Sequence, residues 1–319
     1  MNEHKVLIGN SFDLIKTLDD KSIDCVMTSP PYWGLRDYGH PDQLGQEETP
    51  EEFINKLVSF FDDVKEKLKD EGTCWINLGD SYSNSGGSGN KPENHKQFGK
   101  IINQGTSQKP KRVKNLPSKC TCMIPERFAW QMIEHGWILR NKIIWHKPNH
   151  MPEPVIDRFT KSYEDVFFFV KQGKYNFDLD AVREPHKVGG TRYCKNDGKS
   201  IMHQEGRKNS GIDYIMESNP LGKNPGDVWE INTKPYPGSH FAVFPIELVK
   251  KPILSGCPEN GWTLDPFGGS GTVAEFCSQN NRNSITFELN EDYKKLIEKR
   301  LNLKEDEKGV YKNKTFSDW

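Results

Sequence analysis

Two short stretches decide the fold of this chain: Thr28-Ser29-Pro30-Pro31-Tyr32-Trp33 near the start, and Asp265-Pro266-Phe267-Gly268-Gly269-Ser270-Gly271-Thr272 near the end. Each follows a short apolar run typical of a β-strand, at residues 23–27 and 262–264. In an α/β sheet, ligands bind in the loops just past the carboxyl ends of the strands. The two stretches therefore predict one active site, assembled from the two ends of the sequence.

The composition is that of a globular protein. The chain has 319 residues, of which 34% are hydrophobic and 28% charged. No apolar run approaches the roughly 20 residues that a membrane span needs. The first residues lack the basic-then-apolar pattern of a secretory signal peptide. We therefore expect a cytoplasmic protein without membrane association.

The seven cysteines are irregularly spaced and do not predict a disulfide framework. Cys120 and Cys122, together with Cys194 and either His186 or His203, offer the residue types of a zinc site. The close cysteine pair has no second pair at a matching spacing, however. We therefore expect no metal.

The net charge of −1 conceals a strong asymmetry. Residues 1–80 carry eight basic and 17 acidic side chains, whereas residues 84–119 carry eight basic and one acidic. A focused basic segment favours a polyanionic partner, although a solvated loop explains the segment equally well by itself. The same segment loses all hydrophobic periodicity, which is typical of a long functional loop.

The glycine turn (residues 265–272) predicts a nucleoside-type cofactor. Its glycines let the backbone approach a ligand closely, and the N–H groups at the following helix start attract negative charge. It is neither a Walker A loop nor the spaced glycine motif of dinucleotide binders. Glu288 ends the next predicted strand, where an acid can accept hydrogen bonds from ribose hydroxyls. A merely tight turn beside an exposed acid is the alternative.

The proline turn (residues 29–32) places hydrogen-bond acceptors beside an aromatic ring. Pro30 and Pro31 fix φ and remove N–H donors, so carbonyl groups point outward. The Ser29 hydroxyl adds an acceptor, and the Tyr32 ring can stack on a planar group. This combination suits an exocyclic amino group on a flat heterocycle. A structural turn stabilised by aromatic packing is the alternative.

Both turns resemble motifs of the amino-methylating DNA methyltransferases, whose catalytic motif is Asp/Asn/Ser-Pro-Pro-Tyr/Phe. Their S-adenosylmethionine motif resembles the glycine turn. The catalytic motif comes first along this chain, as in the permuted β class of the family. Residues 144–148, 237–242 and 287–293 also resemble family segments, and the resemblance covers nearly the whole chain except residues 83–119 and 186–224.

This resemblance implies an α/β fold: a Rossmann-like S-adenosylmethionine-dependent methyltransferase sheet, circularly permuted, with an inserted target-recognition region. The order of elements supports it, because a spare strand at residues 5–9 precedes the proline turn and no third strand follows the final helix. We expect the catalytic half of the domain at residues 1–177, with a mobile basic loop at 83–119. The target-recognition insertion is expected at residues 178–236, and the cofactor-binding half at 237–319.

The implied reaction is direct in-line transfer of a methyl group from S-adenosyl-L-methionine to an amino nitrogen of a base flipped out of duplex DNA. Ser29 and the Pro30 carbonyl would accept hydrogen bonds from that amine, and Tyr32 would stack on the base. Serine before Pro-Pro resembles the N4-cytosine members, so we expect cytosine N4, with adenine N6 as the alternative. Methylation of RNA or protein, and a non-catalytic cofactor-dependent DNA-binding regulator, are less favoured. The sequence has no Pro-Cys dipeptide, which argues against carbon-5 methylation.

The predicted site residues form three groups. The catalytic group is Ser29, Pro30, Pro31 and Tyr32. The cofactor-binding group is Asn10 (where the family often has aspartate), Thr28, Ser239, His240, Phe241, Asp265, Phe267, Gly268, Gly269, Ser270, Gly271, Thr272, Glu288 and Asn290. The DNA-binding group is Lys109, Lys111, Arg112, Lys114, Arg183, Arg192 and Lys195. Expected partners are double-stranded DNA and a cognate restriction endonuclease, with the protein a monomer or homodimer.

Overall fold

A computed structural model describes residues 2–83, 106–107, 113–186, 191–194, 214–217, 219–234, 244–301 and 310–312. The chain forms two compact units. One comprises Met1–Phe177 with Asp227–Trp319, and the other comprises Asp178–Gly226. Within the described residues, no helix is both long and apolar enough to cross a membrane.

The two units together contain 13 described strands and six described α-helices. The described strands are β1 (Glu3–Ile8), β2 (Ile23–Thr28), β3 (Arg36–Asp37), β4 (Leu68–Leu78), β5 (Thr106–Ser107), β6 (Ile138–His146), β7 (Tyr163–Val170), β8 (Thr191–Cys194), β9 (Tyr214–Glu217), β10 (Val228–Glu230), β11 (Trp262–Asp265), β12 (Asn283–Glu288) and β13 (Val310–Lys312). The described helices are α1 (Ser11–Leu14), α2 (Pro50–Lys67), α3 (Ile124–Glu134), α4 (Ile246–Gly256), α5 (Thr272–Gln279) and α6 (Glu291–Leu301), with 3-10 helices at Ile15–Thr17 and Asp180–Val182.

The first unit is built on one large sheet, with the strand order β10-β6-β7-β4-β2-β11-β12-β1-β13. The strands from β4 to β1 in this order are parallel, and β7 runs antiparallel between β4 and β6. Strand β11 pairs directly with β2, with Leu264 opposite Val26. Because both strands point the same way, the proline turn and the glycine turn leave the sheet side by side. The sequence predicted this meeting of the two chain ends.

The N-terminal strand β1 pairs in parallel with β12, with Lys5 opposite Ile285. The sequence predicted a spare strand at the N-terminus and no third strand after the final helix. β1 is that spare strand, and it occupies the position beside β12. The sequence did not predict β13, which pairs antiparallel with β1 and extends the sheet by one short strand. That the chain order arose by circular permutation stays a prediction.

Strand β10 was not predicted from the sequence. It pairs in parallel with β6 and forms one edge of the large sheet. It also belongs to the first unit, so the predicted insertion at 178–236 extends beyond the compact unit, which ends at Gly226. The strand is held by Trp229, which is buried, and by the Trp145 indole N–H, which donates to the Ile231 carbonyl at 2.9 Å. Three residues in a polar region give too short a pattern to predict.

Helix α2 begins at an N-cap that its sequence specifies. The Thr49 hydroxyl accepts from the Glu52 N–H at 3.2 Å, and Pro50 occupies the first turn. The helix ends at Lys67, and β4 starts directly at Leu68, so Gly72 lies inside the strand. A Cβ atom at position 72 would lie 2.6 Å from the Leu68 side chain and 3.0 Å from the Asp24 carbonyl oxygen. Glycine is therefore required by the irregular β2–β4 pairing and not by a helix end.

Apolar layers cover both faces of the sheet. Helices α2 and α3 cover one face, where buried phenylalanines such as Phe53, Phe61 and Phe128 pack on the strands. Helices α4 and α5 cover the other face with Leu248, Val273 and further aliphatic side chains. The result is a three-layer α/β sandwich, which holds the carboxyl ends of the parallel strands in fixed positions.

The second unit contains a small antiparallel pair, β8 with β9. Glu184 and Lys223 exchange backbone hydrogen bonds of 3.0 and 2.8 Å, which join the two ends of this unit. The Arg183 guanidinium bonds to the Asp180 carboxylate and the Gly222 carbonyl, at 2.6 and 3.1 Å. Its hydrogen bonds therefore stabilise the unit internally.

Candidate active site

A cleft of about 900 Å³ opens at the carboxyl ends of four neighbouring parallel strands. Many of its lining residues follow β1, β2, β11 and β12, and others lie on β4, on β7 and at the end of β6. The lining includes Asn10, the proline turn, Pro266, Phe267, Gly269, Glu288 and Asn290. The two decisive turns thus face one cavity, at the place where α/β sheets bind ligands.

One side of the cleft carries a compact polar cluster around the proline turn. The Tyr32 hydroxyl lies 2.7 Å from Glu164 Oε2 and 3.0 Å from Asn77 Oδ1. The Ser29 Oγ lies 3.2 Å from the same Asn77 oxygen. The Lys147 ammonium pairs with the second carboxylate oxygen of Glu164. Every member of this cluster lines the cleft.

The Tyr32 ring is clamped from behind by backbone. A Cβ atom at Gly79 would lie 2.4 Å from Tyr32 Cε2, so the ring edge rests directly on that glycine. The next residue, Trp33, is fully buried, and its indole N–H donates to the Glu47 carbonyl at 3.1 Å. Burial and the neighbouring Glu164 carboxylate hold the pKa of Tyr32 well above its usual range. The phenol therefore stays protonated, with its ring in one orientation.

The other side of the cleft is organised by Glu288. The N–H groups of Gly269 and Asn290 donate to its two carboxylate oxygens at 2.7 and 2.9 Å. Burial nevertheless raises its pKa to about 7. The carboxyl group lies at the carboxyl end of β12, where its remaining lone pairs can accept from a ligand.

Two glycines allow the glycine turn to lie tightly on its neighbours. A Cβ atom at Gly268 would lie 2.1 Å from Thr286 Cγ2 and 3.2 Å from the Phe287 carbonyl oxygen. Gly271 has φ +81°, and a Cβ there would lie 2.9 Å from Ile297. The turn can therefore follow β12 closely only with glycine at these positions.

Thr28 and Asp265, both predicted to bind the cofactor, lie beneath the two turns. Both are fully buried, and the Thr28 hydroxyl donates to Asp265 Oδ1 at 2.7 Å. The Phe267 N–H donates to the same oxygen at 3.2 Å, while Oδ2 has no hydrogen-bond partner among the described residues. Burial raises the pKa of Asp265 to about 7. This pair joins β2 to β11 and so fixes one turn relative to the other.

The remaining predicted residues divide by position. Asn10 lines the cleft, although its side-chain oxygen already accepts from the Phe12 N–H at 3.0 Å. Four residues of the glycine turn lie behind the described cleft surface and support the turn: Gly268, Ser270, Gly271 and Thr272. The Ser270 hydroxyl, for example, accepts a hydrogen bond from the Arg300 guanidinium at 2.6 Å. Lys114 is exposed. For Arg192 only the backbone, in β8, is described. Ser239, His240, Phe241, Lys109, Lys111, Arg112 and Lys195 lie outside the described residues.

The sequence prediction did not include Asn77, Lys147 or Glu164 among the site residues. Asn77 lies near the carboxyl end of β4, which is the ordinary position for a functional side chain in this fold. Glu164 lies at the start of β7, and because β7 is antiparallel its first residues reach the same edge. The direction of β7 was the signal that would have identified Glu164.

The fold and the cleft define a class of protein: a Rossmann-like α/β protein whose ligand cleft lies beyond the carboxyl ends of adjacent parallel strands. Comparison gives the family. The family model of N6 and N4 methyltransferases, described as DNA methylase, matches residues 23–299. The chain belongs to this DNA methylase family.

Individual proteins agree with the family model. The type II methyltransferase M.SmaI of Serratia marcescens is 39% identical over 297 residues, which cover 93% of this chain and 90% of that protein. The cytosine-N4-specific PvuII DNA methyltransferase superposes with a TM-score of 0.60 at 19% identity, covering 95% of this chain and 93% of that one. M1.HpyAVI in complex with SAM gives 0.51 at 17% identity, covering 94% and 100%. At these identities, the two solved structures establish a shared fold.

Proposed function

We propose that this DNA methyltransferase transfers a methyl group from S-adenosyl-L-methionine to N4 of cytosine in duplex DNA. The observation that carries the proposal is the proline turn, which presents Ser29 Oγ and a clamped Tyr32 ring to one cleft. Serine at this position is the feature that favours cytosine over adenine. The cytosine-N4 specificity of the PvuII enzyme supports the same choice.

The residues on the glycine-turn side of the cleft fit S-adenosyl-L-methionine. Glu288 is a buried acceptor suited to ribose hydroxyls, and Phe267 lines the cleft with a ring that also packs on Phe60. The missing side chain of Gly268 lets the turn lie close to β12. When bound, this cofactor supplies an electrophilic methyl group. Asn10, Gly269 and Asn290 complete the set of lining residues that would hold it.

The proline turn would activate the amine by accepting its hydrogens. The lone pair of an aromatic amine is delocalised into the base, and acceptors for its N–H groups favour the pyramidal, nucleophilic geometry. Ser29 and Pro30 both line the cleft, so the Ser29 hydroxyl and the Pro30 carbonyl would accept these hydrogen bonds, while Tyr32 would stack on the base. Flipping the base costs of the order of a few kcal/mol of unstacking, which these contacts offset. Catalysis is then mostly positioning and electrostatics.

The pKa of Glu288 predicts a pH dependence of cofactor binding. Its carboxylate can accept from ribose hydroxyls when ionised, and its pKa of about 7 means that the ionised form is lost as the pH falls through that value. We expect the Kd for S-adenosyl-L-methionine to decrease as the pH rises from about 6 to about 8, by at most about tenfold per pH unit. Calorimetric titrations across this range, with Glu288→Gln as the matched control, measure it. The control should bind more weakly with a flatter profile, and two parallel profiles would contradict the assignment.

The proposed target is tested by identifying the methylated nucleoside. Duplex DNA is incubated with the protein and methyl-labelled cofactor, digested, and separated by chromatography with mass detection. We expect N4-methylcytosine. N6-methyladenine would overturn the choice of base, and label found only in parallel tRNA or protein reactions would overturn DNA as the substrate.

The remaining expectations from the sequence stay proposals. The insertion at residues 178–236, which includes the compact unit Asp178–Gly226, is proposed to read the DNA sequence together with the basic segment at 84–119. A cognate restriction endonuclease and a monomeric or dimeric state are likewise proposed. The type II designation of M.SmaI agrees with an enzyme of a restriction-modification system.

A further inference from the structure

The connection between β6 and β7 exposes three apolar side chains beside the cleft. Ile156 and Phe159 are fully exposed, at 102% and 97%, and Met151 is 83% exposed. Among the described residues, no other large hydrophobic residue is exposed to this degree. Met151 also belongs to the cleft lining. Single exposed apolar side chains are ordinary, but three on one short connection at a ligand cleft mark an interaction surface. We call these three side chains the apolar tip.

The polar side chains of the same connection bond to the protein. The Arg158 guanidinium donates to the Glu153 carboxylate at 2.6 Å and lies 4.3 Å from the centre of the Tyr82 ring. The Lys161 ammonium donates to the Asp80 carbonyl at 2.8 Å. An ordinary surface loop has the reverse arrangement, with charged groups in solvent and apolar side chains packed inward. The polar contacts therefore hold the connection in a shape that leaves the apolar tip in solvent.

The connection is also restricted in its backbone and fixed at the rim of the cleft. Pro152 and Pro154 limit the backbone torsions on the N-terminal side of Ile156. The Asn149 side chain donates to the Thr233 carbonyl and accepts from the Thr233 N–H, both at 2.8 Å. Asn149 and Thr233 both line the cleft. A surface ordered in this way loses little conformational entropy when it binds a partner.

The proposed function creates an apolar surface at the same place. When the target base leaves the duplex and enters the cleft, the bases beside the emptied position lose a stacking partner. Proteins that open or kink DNA offset this cost by inserting apolar side chains, among them Phe, Ile and Met, between the bases. The apolar tip consists of these three residue types.

The surroundings of the apolar tip favour DNA over a protein partner. Lys119, the last residue of the basic segment at 84–119, donates to Asp157 of the connection at 2.5 Å, which places the end of that segment beside the tip. Cations can contact the DNA phosphates while apolar side chains contact the bases. We propose that the apolar tip enters the gap that the target base leaves in the duplex, with Phe159 stacking on the neighbouring bases.

Replacing both Ile156 and Phe159 by alanine tests this inference. Both side chains are fully exposed, so their removal should leave the thermal midpoint and the Kd for S-adenosyl-L-methionine unchanged. We expect kcat/KM for methylation of a duplex to fall by about 30-fold, because the emptied position is no longer filled. Phe159→Leu, which keeps an apolar side chain, should lose less than about fivefold.

The deciding measurement compares two duplexes that differ only opposite the target base. One carries the normal partner, and the other carries a mismatched base, which makes the target base less costly to flip. The ratio of wild-type to double-variant kcat/KM should shrink from about 30 on the normal duplex to less than about three on the mismatched one, because the step that the tip assists is already easier. An equal ratio on both duplexes would overturn the inference, since the tip would then contribute only general DNA affinity.

Trp130→Ala is the matched control. Trp130 is another exposed aromatic residue, on α3, and is not among the described residues that line the cleft. Its removal should leave kcat/KM unchanged on both duplexes. Sedimentation without DNA tests a second copy of the chain as the occupant of the tip. A dimer that the wild type forms and the Ile156/Phe159 double variant does not form would overturn the inference.

The inference rests on the proposed function, but methylation of either cytosine or adenine in the duplex serves as its readout. An active wild type with an equal loss on both duplexes overturns the inference alone. Absence of any transfer to duplex DNA by the wild type overturns the proposed function as well.

Discussion

Replacing Ser29 by alanine is expected to lower kcat for methyl transfer by at least about 100-fold, the scale observed when a single oriented polar group is removed from a reacting centre. The hydroxyl lies on the cleft surface, with Asn77 Oδ1 3.2 Å away to take its hydrogen. Alanine removes the acceptor for the amine and leaves the fold of the turn to the two prolines. Single-turnover transfer of labelled methyl to duplex DNA measures the loss.

The affinity for S-adenosyl-L-methionine is the internal control for this variant. Glu288 and the glycine turn, on the other side of the cleft, hold the cofactor in the proposed function, so the Kd should change by less than about threefold. Tyr32→Ala should lose turnover in the same way, with the KM for DNA also raised because the stacking ring is gone. If both variants failed to bind cofactor, the proline turn would belong to the cofactor site and the assignment of the two turns would be wrong.

The sequence predicted the two turns well because each is specified locally. Pro30 and Pro31 fix their own backbone, and the glycines of residues 265–272 follow an apolar strand and precede a helix. That the two turns lie at one cleft followed from the rule that ligands bind beyond strand ends, with no knowledge of strand order. Local chemistry and one general rule were enough to locate the cleft.

The rest of the site depends on pairing between distant strands. Glu164 reaches Tyr32 across 132 positions of sequence because β7 inserts antiparallel between β4 and β6. Thr28 was predicted to bind the cofactor from its place at the end of a strand, and the sequence did not indicate that its hydroxyl donates to Asp265, 237 positions away. Neither the amino-acid composition nor the hydrophobic periodicity of a segment predicts the direction of a side chain at the end of a strand. These contacts follow only from the three-dimensional arrangement of the strands.

Gly268→Ala is expected to weaken cofactor binding by at least about 100-fold, because the turn cannot stay where it is when a methyl group is added. The new Cβ would lie 2.1 Å from Thr286 Cγ2, far inside contact distance, and 3.2 Å from the Phe287 carbonyl oxygen. Thr286 is fully buried in β12 and has no room to withdraw. The turn must therefore lift away from β12, and the bond from the Gly269 N–H to Glu288 breaks. Calorimetric titration with S-adenosyl-L-methionine measures the effect.

Two further variants separate this local cause from general destabilisation. Gly173→Ala, at an exposed position where a Cβ meets nothing within 4 Å, should bind cofactor like the wild type. Thr286→Ser removes Cγ2, the atom that clashes, so in the Gly268→Ala background it should restore part of the lost affinity. The restoration is partial because the contact with the Phe287 carbonyl remains. A Gly268→Ala protein that binds cofactor normally would show that the cofactor does not require the turn to lie against β12, and Glu288 would lose its proposed role with it.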